Sequence, residues 1–355
     1  MHKLQLSIII PCLNERVTIG RVINDVRVNA DKLFKGKYEI IVSDNGSTDG
    51  TLDLLKKMSD VRIINTPIKG YGAALHWGIM NAKGAYVLYA DADGSYPFSN
   101  LKKFKNMIDK NADLILGSRM LGNISDGAMP FLHRYLGTPI LTFLIRLLYK
   151  IPTSDCNSGM RMIKKSFYQS LNMRNSGMEW ASEVLLKTAL NDGKYLEVPI
   201  TFKKDMRDRK PHLSTWSDGW RHLKSILLLK SETLYFTLVV FVLSALLSVN
   251  ISFALVFLFI NLSIVLFLSI LTLELLGSII NKKDSSVSLF LQNFKLVPIT
   301  ILILLIVGII IIMLPERHLG TKLLFTSLLG IIFMWIFLIE TIKTHLINRL
   351  PDINE

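Results

Sequence analysis

Asp91 and Asp93 stand two residues apart, behind the apolar run Tyr86-Val87-Leu88-Tyr89-Ala90 and ahead of Gly94-Ser95-Tyr96-Pro97. Carboxylates at i and i+2 on extended backbone point the same way. With only Ala92 between them, their charges repel unless a cation shares them. Mg2+ suits that arrangement, because it takes one or two carboxylates and keeps substrate phosphates and waters as its other ligands. The stretch is therefore a candidate metal and diphosphate site. Asp, Gly, Ser and Pro also build ordinary solvated turns, so the neighbouring segments must decide.

The segments that would position this pair alternate in character. Leu6-Ser7-Ile8-Ile9-Ile10-Pro11 is short, apolar and β-branched, as a central parallel strand is. Pro11 interrupts the run and Asn14-Glu15-Arg16 ends it, so it reads as a buried strand and not as a signal peptide. Val17, Ile19, Val22, Ile23 and Val26 follow at helical spacing. Further strands are expected at 39–43, 61–64, 85–90 and 113–117, with helices from 51, through 81 and over 98–111. Such alternation predicts an α/β domain with a mainly parallel sheet and helices on both faces. Ligands of these sheets bind outside the carboxyl ends of the strands. Asn14, Glu15, Asp44, Lys69, Asp91 and Asp93 each follow a strand end and so share one rim. Singly, Asn14 is a helix cap and 44–50 a polar turn; jointly they outline a nucleotide site. Neither a Gly-x-Gly-x-x-Gly fingerprint nor a P-loop is present.

Four of these motifs, in order, carry a family likeness. Ser7 to Pro11 with Asn14-Glu15, Ile41-Val42-Ser43-Asp44-Asn45-Gly46-Ser47-Thr48-Asp49, Lys69-Gly70-Tyr71-Gly72 and Asp91-Ala92-Asp93 resemble family 2 glycosyltransferases of the GT-A, Rossmann-like fold. The resemblance implies a nucleotide-sugar donor, UDP- or GDP-linked, and a divalent cation, Mg2+ or Mn2+. It places Pro11, Glu15 and Asp44 near the base and ribose, Asn14 and Lys69 on the same nucleotide-sugar rim, and Asp91 and Asp93 at the metal and diphosphate.

The stretches 127–137, 155–161, 177–183 and 209–223 look like the branch of that family that transfers sugars to polyprenyl or dolichyl phosphate, with dolichyl-phosphate mannose synthase as its type. Carried over by position, Arg134, Arg209 and Ser214 bind acceptor or donor phosphate, and Asp155 is the acidic residue of the reaction centre. Glu179 opens a helix with Glu183 one turn on. It is the candidate base if the acceptor is a hydroxyl, and a helix N-terminus also accounts for it. Ser95 stands where mannose synthases carry Gln, which leaves mannose and a third metal ligand undetermined. Gln-x-x-Arg-Trp, the mark of processive synthases, is missing.

Composition frames these motifs. Half of the 355 residues are hydrophobic, and the net charge is +13. From Leu234 onward there are 7 Lys/Arg against 6 Asp/Glu, so nearly all the excess positive charge precedes that point. A basic, water-facing part is thus followed by an apolar part. Beside a membrane, anionic lipid is the expected partner of such a surface. The aromatic and basic residues interleaved at Trp216, Trp220, Arg221 and Lys224 read as an interface belt and not as a nucleic-acid site. Residues 140–149 are too short to span a bilayer. They read as an interfacial helix with Arg134, Arg146 and Lys150 at headgroup level, or else as a buried core helix. Four spans are expected at about 234–249, 251–280, 296–314 and 323–342, with three as the alternative; Lys282, Lys283, Lys295, Lys343 and Arg349 place both termini in the cytoplasm, with the Arg317/Lys322 loop as a mild exception. Cys12 and Cys156 lack metal-ligand spacing and fit a reducing compartment.

The expected organisation is a nucleotide-sugar half at 1–125, an acceptor half at 126–232 and an all-α transmembrane bundle at 233–355 of a multi-pass cell-membrane protein. The expected activity is an inverting transfer from nucleotide-sugar to polyprenyl phosphate on the cytoplasmic leaflet. Two alternatives stay open: transfer to a hydroxyl of a lipid-linked saccharide, and a non-catalytic membrane scaffold. A homo-oligomer is also left open.

Overall fold

The computed structural model describes residues 4–208, 219, 221–223 and 225–226. The strands are β1 Leu6–Cys12, β2 Tyr38–Asp44, β3 Val61–Asn65, β4 Tyr86–Tyr89, β5 Leu114–Ile124, β6 Arg161–Lys164 and β7 Tyr195–Phe202. They form one sheet in the order β3-β2-β1-β4-β6-β5-β7. β1 pairs in parallel with β2 and β4, and β2 with β3. β6 runs antiparallel to both β4 and β5, and β7 returns parallel to β5. The mainly parallel sheet is as the alternation predicts. β6 is not: the sequence reading ends residues 155–161 as a polar turn, whereas the chain enters a strand at Arg161. Because β6 lies between β4 and β5, the two halves expected on either side of residue 125 share one sheet.

The helices are α1 Ile19–Phe34, α2 Thr51–Leu55, α3 Tyr71–Asn81, α4 Leu101–Ile108, α5 Thr138–Tyr149, α6 Lys165–Ser170 and α7 Trp180–Leu190. β1 is buried on both faces, which is why it needs an unbroken apolar run. Ile8 and Ile10 join one cluster with Val22, Ile23 and Val26 of α1 and with Phe104 of α4. Each such side chain contributes about 1.5–3 kcal/mol by leaving water. On the other face α3 sits close, because a Cβ at Gly78 would stand 2.6 Å from Ile9 Cγ2. The start of α3 is equally tight. A Cβ at Gly70 would stand 2.2 Å from the Ser176 carbonyl oxygen, and φ there is +141°, a conformation that favours glycine. The Lys69 loop is thereby pinned against the segment that leads into α7.

α5 is apolar nearly all round. Leu141, Thr142, Ile145 and Tyr149 face inward, while Ile140, Phe143 and Leu147 are exposed. Phe131, Leu132, Tyr135 and Leu136, in the turn before it, extend that face, and Phe131 is 73% exposed. Among the described residues no helix is long and apolar enough to cross a membrane. The four expected spans, Arg209 and Ser214 lie outside the described residues.

Candidate active site

The carboxyl ends of β1, β2 and β4 open onto one rim, and the loops that leave them interlock. Asn14, at φ 56°, accepts the Thr48 N–H through Oδ1 at 2.7 Å and donates its own N–H to Ser47 Oγ at 2.8 Å. The Glu15 N–H reaches Thr51 Oγ1 at 3.1 Å. The first two motifs are thus one rigid unit. Pro11 lies buried in β1, opposite Ser43. Asp44 is 2% exposed; its Oδ2 accepts the N–H groups of Gly46 and Ser47, while Oδ1 has no hydrogen-bond partner among the described residues. A buried carboxylate oxygen with room for a donor fits an N–H of a bound ligand. Beside this unit lies a cavity of about 320 Å³ lined by Asn14, Glu15, Arg16, Asp49, Arg207 and Asp208. Lys69 is exposed on its loop, and Asn45 fixes that loop by donating to Thr66 Oγ1 and the Ile68 carbonyl and accepting the Gly70 N–H.

Asp91 and Asp93 lie just past β4. Tyr71 donates its hydroxyl to Asp91 Oδ1 at 2.9 Å, and a Cβ at Gly159 would stand 2.7 Å from Asp91 Oδ2. Asp91 keeps some surface open, yet this close enclosure, and then the charge of Asp93, raise its pKa to about 6. Ser95 donates both its N–H and its hydroxyl to Asp93 Oδ1, at 2.9 and 2.6 Å. Ser95 therefore orients Asp93. Asp93 Oδ2 accepts from Arg207 Nη1 at 3.0 Å. A divalent cation fits this pair. The carboxylates repel each other, and no cluster of three or more His, Cys, Asp or Glu among the described residues would wrap a metal completely. A cation held by Asp91 and Asp93 would keep positions for phosphate oxygens, as Mg2+ does.

A second buried constellation adjoins the first. Asp155 is 0% exposed and accepts three bonds from one residue: Arg119 N at 3.0 Å, Nε at 2.7 Å and Nη2 at 2.8 Å. Arg119 also stacks over Phe202, 5.2 Å from the ring centre. The loop that carries Asp155 is held by Glu197, which accepts from Thr153 Oγ1, from Ser154 N and Oγ, and from the Tyr195 hydroxyl. Arg119 acts electrostatically in two directions. It is among the charges that favour ionised Asp91, and after burial it is the second cause that lowers the His133 pKa. Arg134, in the turn with His133, is half-buried and lies 5.4 Å from the centre of the Tyr135 ring.

The structure brings Glu15, Asp91 and Asp93 into one site, with Asp155 reaching it through Arg119. Glu179 is 1% exposed just ahead of α7, with its carboxylate against Gly177. Glu183 accepts the N–H groups of Arg174 and Asn175 and pairs with Lys187, a loop-holding role. Both cysteines are buried, and burial first of all pushes each thiol up to about 12, which makes them inert at neutral pH. Sequence reasoning missed Arg119, Arg207 and Tyr71. Tyr71 sits in a motif already singled out and Arg207 two residues ahead of the 209–223 stretch, whereas Arg119 carries no local signal.

Residues 7–171 match the family described as Glycosyl transferase family 2. The chain is 34% identical over 223 residues to the low-salt glycan biosynthesis hexosyltransferase of Haloferax volcanii, covering 62% of this chain and 53% of that one. It therefore spans about half the length of that relative. It is 28% identical to the dolichyl-phosphate hexose transferase of the same organism, over 58% of this chain and 86% of the relative. A solved mycobacterial protein shares the fold, with a TM-score of 0.51 and 18% identity over 63% of this chain and 74% of that one.

Proposed function

We propose that this chain, which carries a glycosyl transferase family 2 domain at residues 7–171, moves a hexose from a nucleotide-sugar to the phosphate of a polyprenyl lipid at the cytoplasmic leaflet. The observation that carries the reading is the enclosed Asp91–Asp93 pair with two arginines beside it, the buried Arg119 and the partly buried Arg207. That set suits two phosphates brought close together against their repulsion. The dolichyl-phosphate hexose transferase among the relatives supports the acceptor. So does the exposed apolar face of 131–147, with Arg146 and Lys150 exposed beside it. A face of that composition suits the headgroup region of a bilayer.

Each residue then has a task. Asp44 Oδ1 accepts an N–H of the base, and the interlocked 14–18 and 44–51 loops hold the ribose side. Asp91 and Asp93 would hold the divalent cation, which when bound offsets the charge that grows on the departing diphosphate. Arg119 presents a fixed positive charge toward the acceptor phosphate, and Asp155 holds Arg119 in place. A phosphate acceptor is mostly ionised at neutral pH, since its second pKa is about 6. No strong general base is needed, which fits a carboxylate at Asp155 that is fully committed to Arg119. Attack by the phosphate oxygen on the anomeric carbon, with the diphosphate leaving from the other side, inverts the configuration.

The test incubates the full-length protein in membranes with radiolabelled nucleotide-sugars and polyprenyl phosphate. A labelled lipid released by mild acid is the expected product. Release of the label by mild acid as part of a longer saccharide, and not as the single sugar, would favour transfer to a hydroxyl, with Glu179 as base, and absence of any labelled lipid would reject both.

A further inference from the structure

Arg207 sits where the proposed cation would compete with it. Its guanidinium bridges two acids from different strand ends: Nε and Nη2 meet Glu15 Oε1 at 2.8 and 2.7 Å, and Nη1 meets Asp93 Oδ2 at 3.0 Å. All three side chains are largely withdrawn from solvent, at 14%, 3% and 10% exposure. The loop that carries Arg207 is laced over the Asp turn. The Lys203 N–H donates to the Ser95 carbonyl and the Met206 N–H to the Asp93 carbonyl, each at 2.9 Å. The Met206 side chain covers Gly94, where a Cβ would stand 2.0 Å from Met206 Cε. The other oxygen of Asp93 is already committed to Ser95.

We propose that Arg207 and the divalent cation are alternative partners of Asp93, and that their exchange couples metal loading to diphosphate capture. This inference rests on the reading of Asp91 and Asp93 as the metal pair. A cation that binds Asp93 Oδ2 displaces Nη1, since two positive groups cannot share that oxygen at contact distance. The displaced guanidinium stays on its loop, at the wall of the 320 Å³ cavity. There it meets the next anion to arrive, the diphosphate, for which its planar fork is suited. Arg207 thus opposes the metal alone and favours the metal together with the diphosphate. The arrangement orders the two events: the bare ion binds weakly, and diphosphate makes its binding tight.

The opposite signs give the test. The full-length protein and its Arg207→Gln variant are titrated with Mn2+ alone, followed by the electron paramagnetic resonance signal of free Mn2+. The Mn2+-saturated proteins are then titrated with inorganic pyrophosphate. Arg207→Gln should bind Mn2+ about 10-fold more tightly and pyrophosphate about 10-fold more weakly. Arg207→Lys keeps a competing charge and should bind Mn2+ within about 3-fold of wild type. Equal Mn2+ affinity in wild type and Arg207→Gln overturns the exchange while the metal site stands. Equal tightening in the Lys and Gln variants also overturns it, because charge would then not be the competitor. Failure of wild type and variants alike to bind Mn2+ at millimolar concentration overturns the metal site and the exchange together.

Discussion

Replacing Asp155 by Asn should separate what this carboxylate does for the fold from what it does for the reaction. Asn is nearly isosteric, and its oxygen in the place of Oδ2 still accepts the Arg119 backbone N–H and Nε, two of the three bonds. Its amide, however, turns a donor toward a guanidinium that has only donors. Arg119 would stay 7% exposed without its counter-charge. Breaking a buried pair from one side costs about 3–5 kcal/mol. The stack of Arg119 on Phe202 survives and keeps the expected loss near ~3 kcal/mol. For a domain of this size that corresponds to a fall of about 6–12 °C in Tm. Thermal unfolding of the full-length variant, followed by tryptophan fluorescence, measures it. The double variant Arg119→Met, Asp155→Asn removes the stranded charge and should recover at least half of the loss, while transfer to lipid phosphate stays abolished. A single variant within about 0.5 kcal/mol of wild type, or a double variant as unstable as the single, would refute a charge-coupled buried pair.

The carboxyl of Asp91, raised to about 6, binds a cation only when ionised. Mn2+ affinity should therefore be flat above that pH and fall by up to about tenfold per unit below it. A titration giving equal affinity at pH 7 and pH 5 would contradict this. Burial lowers the His76 pKa to about 4, and its Nδ1 pairs with the Tyr168 hydroxyl. The unfolded chain takes up that proton near 6.5, so the contribution of His76 is complete above about pH 6.5 and is lost as pH falls toward 4, by about 3 kcal/mol in all. Urea unfolding of wild type should weaken across that window, and His76→Gln should flatten the slope. Gly159→Ala puts a methyl 2.7 Å from Asp91 Oδ2. It should reduce Mn2+ affinity and kcat/KM by about tenfold or more, with a small change in Tm; wild-type Mn2+ binding would show that the Gly159 turn is not packed on the Asp pair.

The first four strands and the rim at their carboxyl ends are legible because each strand is a short apolar run that ends in polar residues. Local pattern and the rule about carboxyl ends are enough to group Glu15, Asp44, Asp91 and Asp93. The second constellation was not legible, for physical reasons. Arg119 lies in β5, and only the fold brings it to Asp155, 36 positions away. β6 has four residues and opens on a charged one, Arg161. That arginine is fully buried because its guanidinium donates to the carbonyls of Cys156, Ser158 and Ala181. Nothing in the sequence announces that satisfaction. At 203–210 the basic residues Lys203, Lys204, Arg207, Arg209 and Lys210 mark a phosphate ligand by composition, but composition does not choose among the arginines. Arg209 was singled out, and it lies outside the described residues, while Arg207 is the one seen bridging Glu15 and Asp93. Ser95 stands where the resemblance expects a third metal ligand, and in the structure its N–H and hydroxyl hold Asp93.

The reversal of β6 gives the domain an unusual freedom. Residues 125–160 leave the sheet from β5 and re-enter it on the antiparallel strand beside it, β6. A segment with both ends fixed on neighbouring strands behaves as a cassette. Its exposed turn and α5 can change length, hydrophobicity or charge while β1, β2 and β4 stay in register. The rim meets this segment at its re-entry, where Gly159 packs on Asp91, and the exposed turn and α5 lie ahead of that point. Transplanting 125–160 from a relative, with Asp155 and Gly159 kept ahead of Arg161 at the point of re-entry, would test whether the proposed acceptor preference can be changed while β1, β2 and β4 are left as they are.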